Sequence, residues 1–259
     1  MSDALRFLTL GVGDAFTERY YHSSLVVMAG DYRLLIDAPE PIRHILSAAS
    51  KRCGVPVKLE DICDVLITHL HADHASGFET ICHYKKHFEG TLPNLYTSPE
   101  VLQVIWDQRL SAVFAESTDV YTGETRKNTV SDFYVPHGLS YDQETAIGPL
   151  HISIRRTKHP IPTIGLKIRH GDVSLGYSCD TVFDPLHIEW LRDCDRIIHE
   201  TNRGPHTNMK DLVALPEEIR RKMWLIHYTD DLNVEYAPIE CLRQGEIYVV
   251  SDVAAEAAR

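Results

Sequence analysis

Apolar and polar residues alternate in short stretches of the chain and recur at helical spacing in others, which separates strands from helices. Arg6–Leu10 reads as a strand, followed by a turn over Gly11–Asp14 where two glycines free the backbone. Ser24–Met28 and Tyr32–Ile36 flank Ala29–Asp31 in a hairpin pattern. Pro41 opens and Gly54 closes a helix whose inner face is Ile42, Ile45, Leu46 and Ala49. A short buried strand is predicted over Val65–Thr68, a helix from Gly77 to about Phe88 and a strand over Asn94–Tyr96. Ser98 caps a further helix with Pro99 at its first position. In the second half the pattern predicts strands over Leu150–Lys158, Ile164–Arg169, Val173–Ser178, Arg196–His199, Met223–Ile226 and Glu246–Val250. Helices are expected over Asp184–Arg192 and Pro216–Lys222.

Residues 111–131 are polar and lack a period, so they read as an irregular insertion: a surface loop, or else a lid or partner contact. Asp252–Arg259 reads as a frayed tail. With no fixed repeat and no low-complexity linker, the expectation is one domain over residues 1–259. Strands outnumber helices in each half, which predicts an α/β fold of two mixed β-sheets with helices outside.

Composition narrows the class. The 259 residues are 44% hydrophobic and 24% charged, as in an ordinary globular protein. No apolar run approaches the roughly 18 residues of a membrane span, and the first residues show no secretory pattern, so no membrane partner is expected. Six cysteines without paired spacing suit free thiols and a cytoplasmic location. The net charge of −11 works against long nucleic acid as a partner, because that affinity comes largely from phosphate neutralisation.

The chemistry concentrates where the apolar run Val65–Thr68 stops: His69, His71, Asp73 and His74 follow within six positions. Residues two apart on an extended segment point the same way, so His69 and His71 can grip one cation while Asp73 and His74 face a second. Four ligands do not complete two sites, and others are sought at the carboxyl ends of apolar strands, where rigid scaffold meets open loop. His159, Asp180 and His227 meet that rule, and Asp180 can serve both cations through its two oxygens. His199 and Glu200 end a fourth strand. His137 is a rival to His159 but follows a weaker strand, and His206 could reach the site. The remaining histidines, His22 among them, read as surface or packed residues.

These segments resemble the metallo-β-lactamase superfamily, through Thr68–His74 (THLHADH), His159, Ser178–Thr181 (SCDT) and Ile226–Asp230 (IHYTD). The closest sub-pattern is the ribonuclease Z-like phosphodiesterase branch, through Lys158–Ile168, Arg196–Asn202 (RIIHETN) and Asp37 in LLIDAPE. The resemblance implies an αββα four-layer sandwich with the two sheets face to face. It implies one metal on His69, His71, His159 and Asp180, and another on Asp73, His74, Asp180 and His227. Asp37 would orient a ligand histidine from behind. Relatives of this kind are often dimers, so a homodimer is implied as well.

Two cations that share a carboxylate and a water bring that water's pKa toward neutrality, so the expected function is hydrolysis by a metal-bridging hydroxide. His199 is the expected proton donor to the leaving group, Glu200 fixes its charge or orientation, and Asp73 is a candidate proton acceptor. Imidazole with carboxylate suits two Zn2+ ions, with Mn2+ and Fe open. Only about twenty residues separate His159 and Asp180, too few for a tRNA-clamping arm, and GVGDAFTERYYHSS replaces the branch's basic loop after the first strand. The expected substrate is therefore a small phosphodiester such as a cyclic nucleotide. The alternatives are a thioester or lactam hydrolase on the same metals, and a ribonuclease Z-like RNA endonuclease.

Overall fold

A computed structural model describes residues 4–251; the tail expected over residues 252–259 lies outside the described residues. The first sheet contains β1 (Leu5–Gly11), β2 (Ser24–Ala29), β3 (Tyr32–Ile36), β4 (Asp64–Leu66) and β5 (Asn94–Thr97). A separate exposed hairpin, β6 (Glu116–Thr118) and β7 (Thr125–Lys127), precedes β8 (Val135–Gly138), which rejoins the first sheet beside β5. The second sheet is built from β9 (Thr145–Ile147), β10 (Leu150–Arg156), β11 (Ile164–His170), β12 (Val173–Tyr177), β13 (Arg196–Glu200) and β14 (Met223–Ile226). Finally β15 (Ile247–Val249) returns to pair with β1. Both sheets are mixed: β3, β4, β5 and β8 run parallel in one, and β12, β13 and β14 in the other.

The alternation along β1 and β2 explains the layering. Leu5, Phe7, Leu25 and Val27 join Ile152, Ile154, Leu166 and Ile168 of the second sheet in one buried core. Leu8, Leu10, Val26 and Met28 point the other way, onto Ile42, Ile45, Leu46 and Ala49 of the helix Ile42–Cys53. On the far side Ile188 and Leu191, of the helix Pro185–Leu191, pack onto the second sheet. The result is the expected αββα sandwich, with one face of each sheet buried against the other and the opposite face under helices.

Several predicted ends are borne out by their chemistry. Gly54 closes its helix at φ 73°, a left-handed cap that glycine adopts without penalty. Ser98 accepts from the Val101 N–H at the start of Pro99–Ile105. Others differ. The helix expected to run to Phe88 is α-helical over Phe78–Tyr84 and then widens to a π-helical turn over Lys85–Glu89. The stretch expected to be irregular from residue 111 carries a short helix, Ser111–Phe114, and the β6–β7 hairpin. All six residues of that hairpin are exposed, so no buried face gave its sequence a period. All six cysteines are unpaired. Among the described residues no helix is long and apolar enough to cross a membrane.

Candidate metal centre

Parallel strands end together, and the loops that leave β3, β4, β12, β13 and β14 meet at one end of the sandwich. The chain leaving β4 carries His69 and then His71, the latter in extended form; Asp73 and His74 fall inside a short helix, Ala72–Ala75. His159 lies beyond β10, Asp180 beyond β12 and His227 directly after β14. Asp37 and His227, at the ends of β3 and β14, and Cys179, beside Asp180, take left-handed backbone conformations with φ of 59°, 57° and 50°. Such conformations are uncommon outside glycine and persist where surrounding contacts fix them.

The side chains converge as two groups. The donor atoms of His69, His71, His159 and Asp180 lie within 4.8 Å of one another, and so do those of Asp73, His74, Asp180 and His227. In the first group His71 Nδ1 is 3.1 Å from His69 Nε2 and 3.0 Å from His159 Nε2. In the second, Asp73 Oδ2 is 3.2 Å from His74 Nε2 and 3.3 Å from His227 Nε2. Asp180 joins the two, with Oδ2 3.7 Å from His69 Nε2 and Oδ1 3.5 Å from His74 Nε2.

Hydrogen bonds behind the cluster decide which ring nitrogens carry protons. Thr68 donates its hydroxyl to Asp37 Oδ2, so its oxygen accepts from His69 Nδ1 at 3.0 Å. The His69 Nε2 that faces His71 is then a bare lone pair. His74 likewise donates Nδ1–H to Asp37 Oδ2 at 2.7 Å. Its buried Nε2 has no hydrogen-bond partner and confronts the carboxylates of Asp73 and Asp180. Lone pairs and carboxylates aimed at common points are the donor set of a cation site, and these residues fit two divalent ions.

Electrostatics agree. Burial pushes the His69 pKa well below its usual range and His159 down to about 4, so both rings are neutral and offer lone pairs. Burial opposes a charged His74, but Asp180 and Asp37 outweigh it and hold that pKa well above the ordinary value. The second position therefore demands positive charge. Against the penalty of burial, His227 and His74 keep Asp180 well below the usual carboxylate range.

The structure does not bring His199 to this cluster. Successive side chains on β13 point to opposite faces, and Glu200 takes the inward one. Buried His199 faces outward, donates from Nδ1 to the Glu200 carbonyl at 2.7 Å, and feels His187 rather than any member of the cluster. Glu200 accepts the Thr181 N–H, and its Oε2 is 2.8 Å from His206 Nδ1 and 3.7 Å from His227 Nδ1. His206 stacks on His227 with ring centroids 5.3 Å apart and lies 5.5 Å from His159. The histidine beside Glu200 at the cluster is thus His206.

Two further residues carried no pattern. Half-buried His22 lies close enough to Asp73, His74 and His227 to feel their charges. Arg109 donates to the Leu70 carbonyl at 2.7 Å, between His69 and His71. Neither ends a predicted strand, and both arrive through folding of distant segments.

Comparison with known proteins places this arrangement. The family described as "Anti-Pycsar protein Apyc1" matches residues 5–248. The chain belongs to that Apyc1 family. An Apyc1 protein of Paenibacillus sp. (strain J14) is 30% identical over 95% of this chain and 100% of its own length. A Dictyostelium discoideum protein named cGMP-dependent 3′,5′-cGMP phosphodiesterase A is 23% identical across 93% of the chain, which spans 28% of that protein. Among solved structures, the metallo-β-lactamase fold protein YhfI from Bacillus subtilis superposes with a TM-score of 0.75 at 17% identity, covering 95% of this chain and 100% of that one. The Apyc1 family chain therefore has the metallo-β-lactamase fold.

Proposed function

We propose that the protein is a dinuclear metal-dependent phosphodiesterase that hydrolyses a small cyclic nucleotide. The observation that carries this reading is the pair of donor groups joined through Asp180, with the Glu200–His206 pair against them. The likeness to a protein named as a 3′,5′-cGMP phosphodiesterase supports the substrate class. His69, His71, His159 and Asp180 would hold one ion, and Asp73, His74, Asp180 and His227 the other. Zinc is the first choice for imidazole and carboxylate donors. When bound, two such ions supply a nucleophilic water at neutral pH and stabilise charge on a phosphoryl group.

The chain's own residues do the rest. Asp37 fixes the His74 tautomer and, through Thr68, that of His69, so that both offer lone pairs. His206 Nδ1 lies 2.8 Å from Glu200 Oε2, a contact that fixes the ring and leaves Nε2 free to hand a proton to the departing sugar oxygen. Asp73, held well below the usual carboxylate range by His227 and His74 despite burial, serves as ligand and orienter of the attacking water rather than as a strong base.

A long RNA substrate fits less well. The segment between His159 and Asp180 is the tight β11–β12 hairpin, with no arm, and the net charge is −11. The single chain over residues 4–251 supplies every proposed ligand, in keeping with one catalytic domain. The deciding experiment loads purified protein with zinc, manganese or iron and offers a panel of 3′,5′-cyclic nucleotides, following the linear monophosphate product. Turnover is expected with at least one metal, and its absence with all three removes the proposal.

A further inference from the structure

Glu200 ends β13 beside β14, where the parallel register sets it opposite Ile226, the residue before His227. Its side chain is fully buried, and its two carboxyl oxygens have different neighbours. Oε1 accepts the Thr181 N–H, directly after Asp180. Oε2 meets His206 Nδ1 at 2.8 Å and faces His227 Nδ1 at 3.7 Å. On its other side the His227 ring presents Nε2 to the donor cluster, 3.3 Å from Asp73 Oδ2 and 3.5 Å from Asp180 Oδ2. The His227 backbone is held as well, since Asn202 donates to its carbonyl at 3.3 Å. A neutral imidazole that offers Nε2 to a cation carries its proton on Nδ1. That Nδ1 is buried and has no hydrogen-bond partner. Leaving a buried N–H unpaired is costly, and the Glu200 oxygen is the acceptor that faces it.

We propose that Glu200 is a positioning residue for His227, holding its Nε2 on the second cation position, besides being the partner of His206. The proposal rests on the reading of these residues as a metal centre; it does not depend on which substrate that centre takes. Hydrogen-bond length is about 2.9 Å, so a slight turn of either side chain closes the contact. One carboxylate oxygen has two lone pairs, so Oε2 can serve His206 and His227 together. Asp37 already stands in this relation to His74, with its Oδ2 2.7 Å from His74 Nδ1. Glu200 would give the other histidine of the second donor group the same support, and so tie one ion and the proton donor to a single side chain.

Zinc affinity of the metal-free protein, measured by competition with a chromophoric chelator, tests this apart from turnover. The wild type is expected to take up two ions. Glu200→Ala should weaken one of them by about 10–100-fold, the range for groups behind a ligand histidine, and leave the other near wild type. His206→Ala should leave both within about threefold. In a His227→Ala background, adding Glu200→Ala should cost little further affinity, because the ring it positions is gone. Glu200→Gln, with one acceptor oxygen in place of two, should lose less than the alanine variant, and it serves if that variant does not fold. Two ions held by Glu200→Ala as tightly as by the wild type overturn the proposal. So does an equal loss with and without the His227 ring, since Glu200 would then act through Thr181 and Asp180. A loss in His206→Ala as large as in Glu200→Ala overturns it too, because His206 would then carry the effect. A wild type that holds two ions, binds one more weakly in Glu200→Ala and yet hydrolyses no cyclic nucleotide leaves the proposal standing and removes the phosphodiesterase reading alone.

Discussion

Asp37 reaches the candidate metal centre without facing it. Fully buried at the end of β3, it accepts the Thr68 N–H at 2.8 Å and meets His74 Nδ1 at 2.7 Å, so it sets which nitrogen of His74 carries the proton. Asp37→Asn keeps the shape but can present an N–H where an acceptor is needed. Groups that orient a ligand from behind typically govern about 10–100-fold in metal affinity. A loss of that size is expected in competition with a chromophoric chelator, and affinity equal to wild type would refute the role. His206 and His199 separate in the same way. His206→Ala should lower cyclic-nucleotide turnover by about a hundredfold or more, the usual weight of a positioned general acid. His199→Ala should leave turnover within about threefold, since the ring faces away from the cluster; the reverse ranking would return the role to His199. The seven residues proposed as donors can be read from the sequence because they follow the ends of apolar strands. The sequence points to His199 beside Glu200, but neighbours on a strand face opposite ways, and the side chain that meets the Glu200 carboxyl is His206. His206, six residues on, reaches back through a loop that has no periodicity to read.

At the scale of elements, β13 and the helix Pro185–Leu191 enclose a second histidine pair that serves packing. His187 donates from Nε2 to the Ser178 carbonyl at 3.2 Å and lies so close over Gly165 of β11 that a Cβ there would meet its ring at 2.5 Å. This explains a glycine in a buried strand. Burial lowers the pKa of both His187 and His199 to about 4. In the unfolded chain each titrates near about 6.5. Between those values the unfolded state binds more protons than the folded one, so stability is full at neutral pH and falls as pH drops from about 6.5 to about 4. The loss is at most roughly 3 kcal/mol per ring. Urea unfolding of metal-free protein at pH 7 and pH 4.5 tests this against the double variant His187→Gln, His199→Gln. The ligand histidines titrate in both proteins, so the variant's shallower decline isolates this pair, and identical slopes would rule it out. Strand positions were readable in sequence because alternation marks a half-buried surface. The β6–β7 hairpin was not, since neither of its faces is covered.

Across the whole molecule, the candidate metal centre draws on both sheets. His69, His71, Asp73 and His74 come from the half built on β1–β5, while His159, Asp180 and His227 come from the half built on β10–β14. Each donor group therefore crosses the seam between the sheets, and neither is complete until the Phe7–Ile168 core has closed. That convergence could not be derived from periodicity, which is local, and the family resemblance supplied it. It also ties metal binding to folding, because ions that bind the native state and not the unfolded chain stabilise it by mass action. With free metal about a thousandfold above Kd, that gain is about 4 kcal/mol, or roughly 10 °C in Tm for a chain of this size. Removing metal with a chelator should lower Tm by that order, and adding back zinc should restore it. The variant Asp180→Ala, which removes the carboxylate common to both donor groups, should melt at nearly the same temperature with and without metal. Charge repulsion left behind in that variant does not confuse the comparison, because only its response to metal is read. A wild-type Tm indifferent to chelation would mean that the two sheets are not joined by ions at this seam.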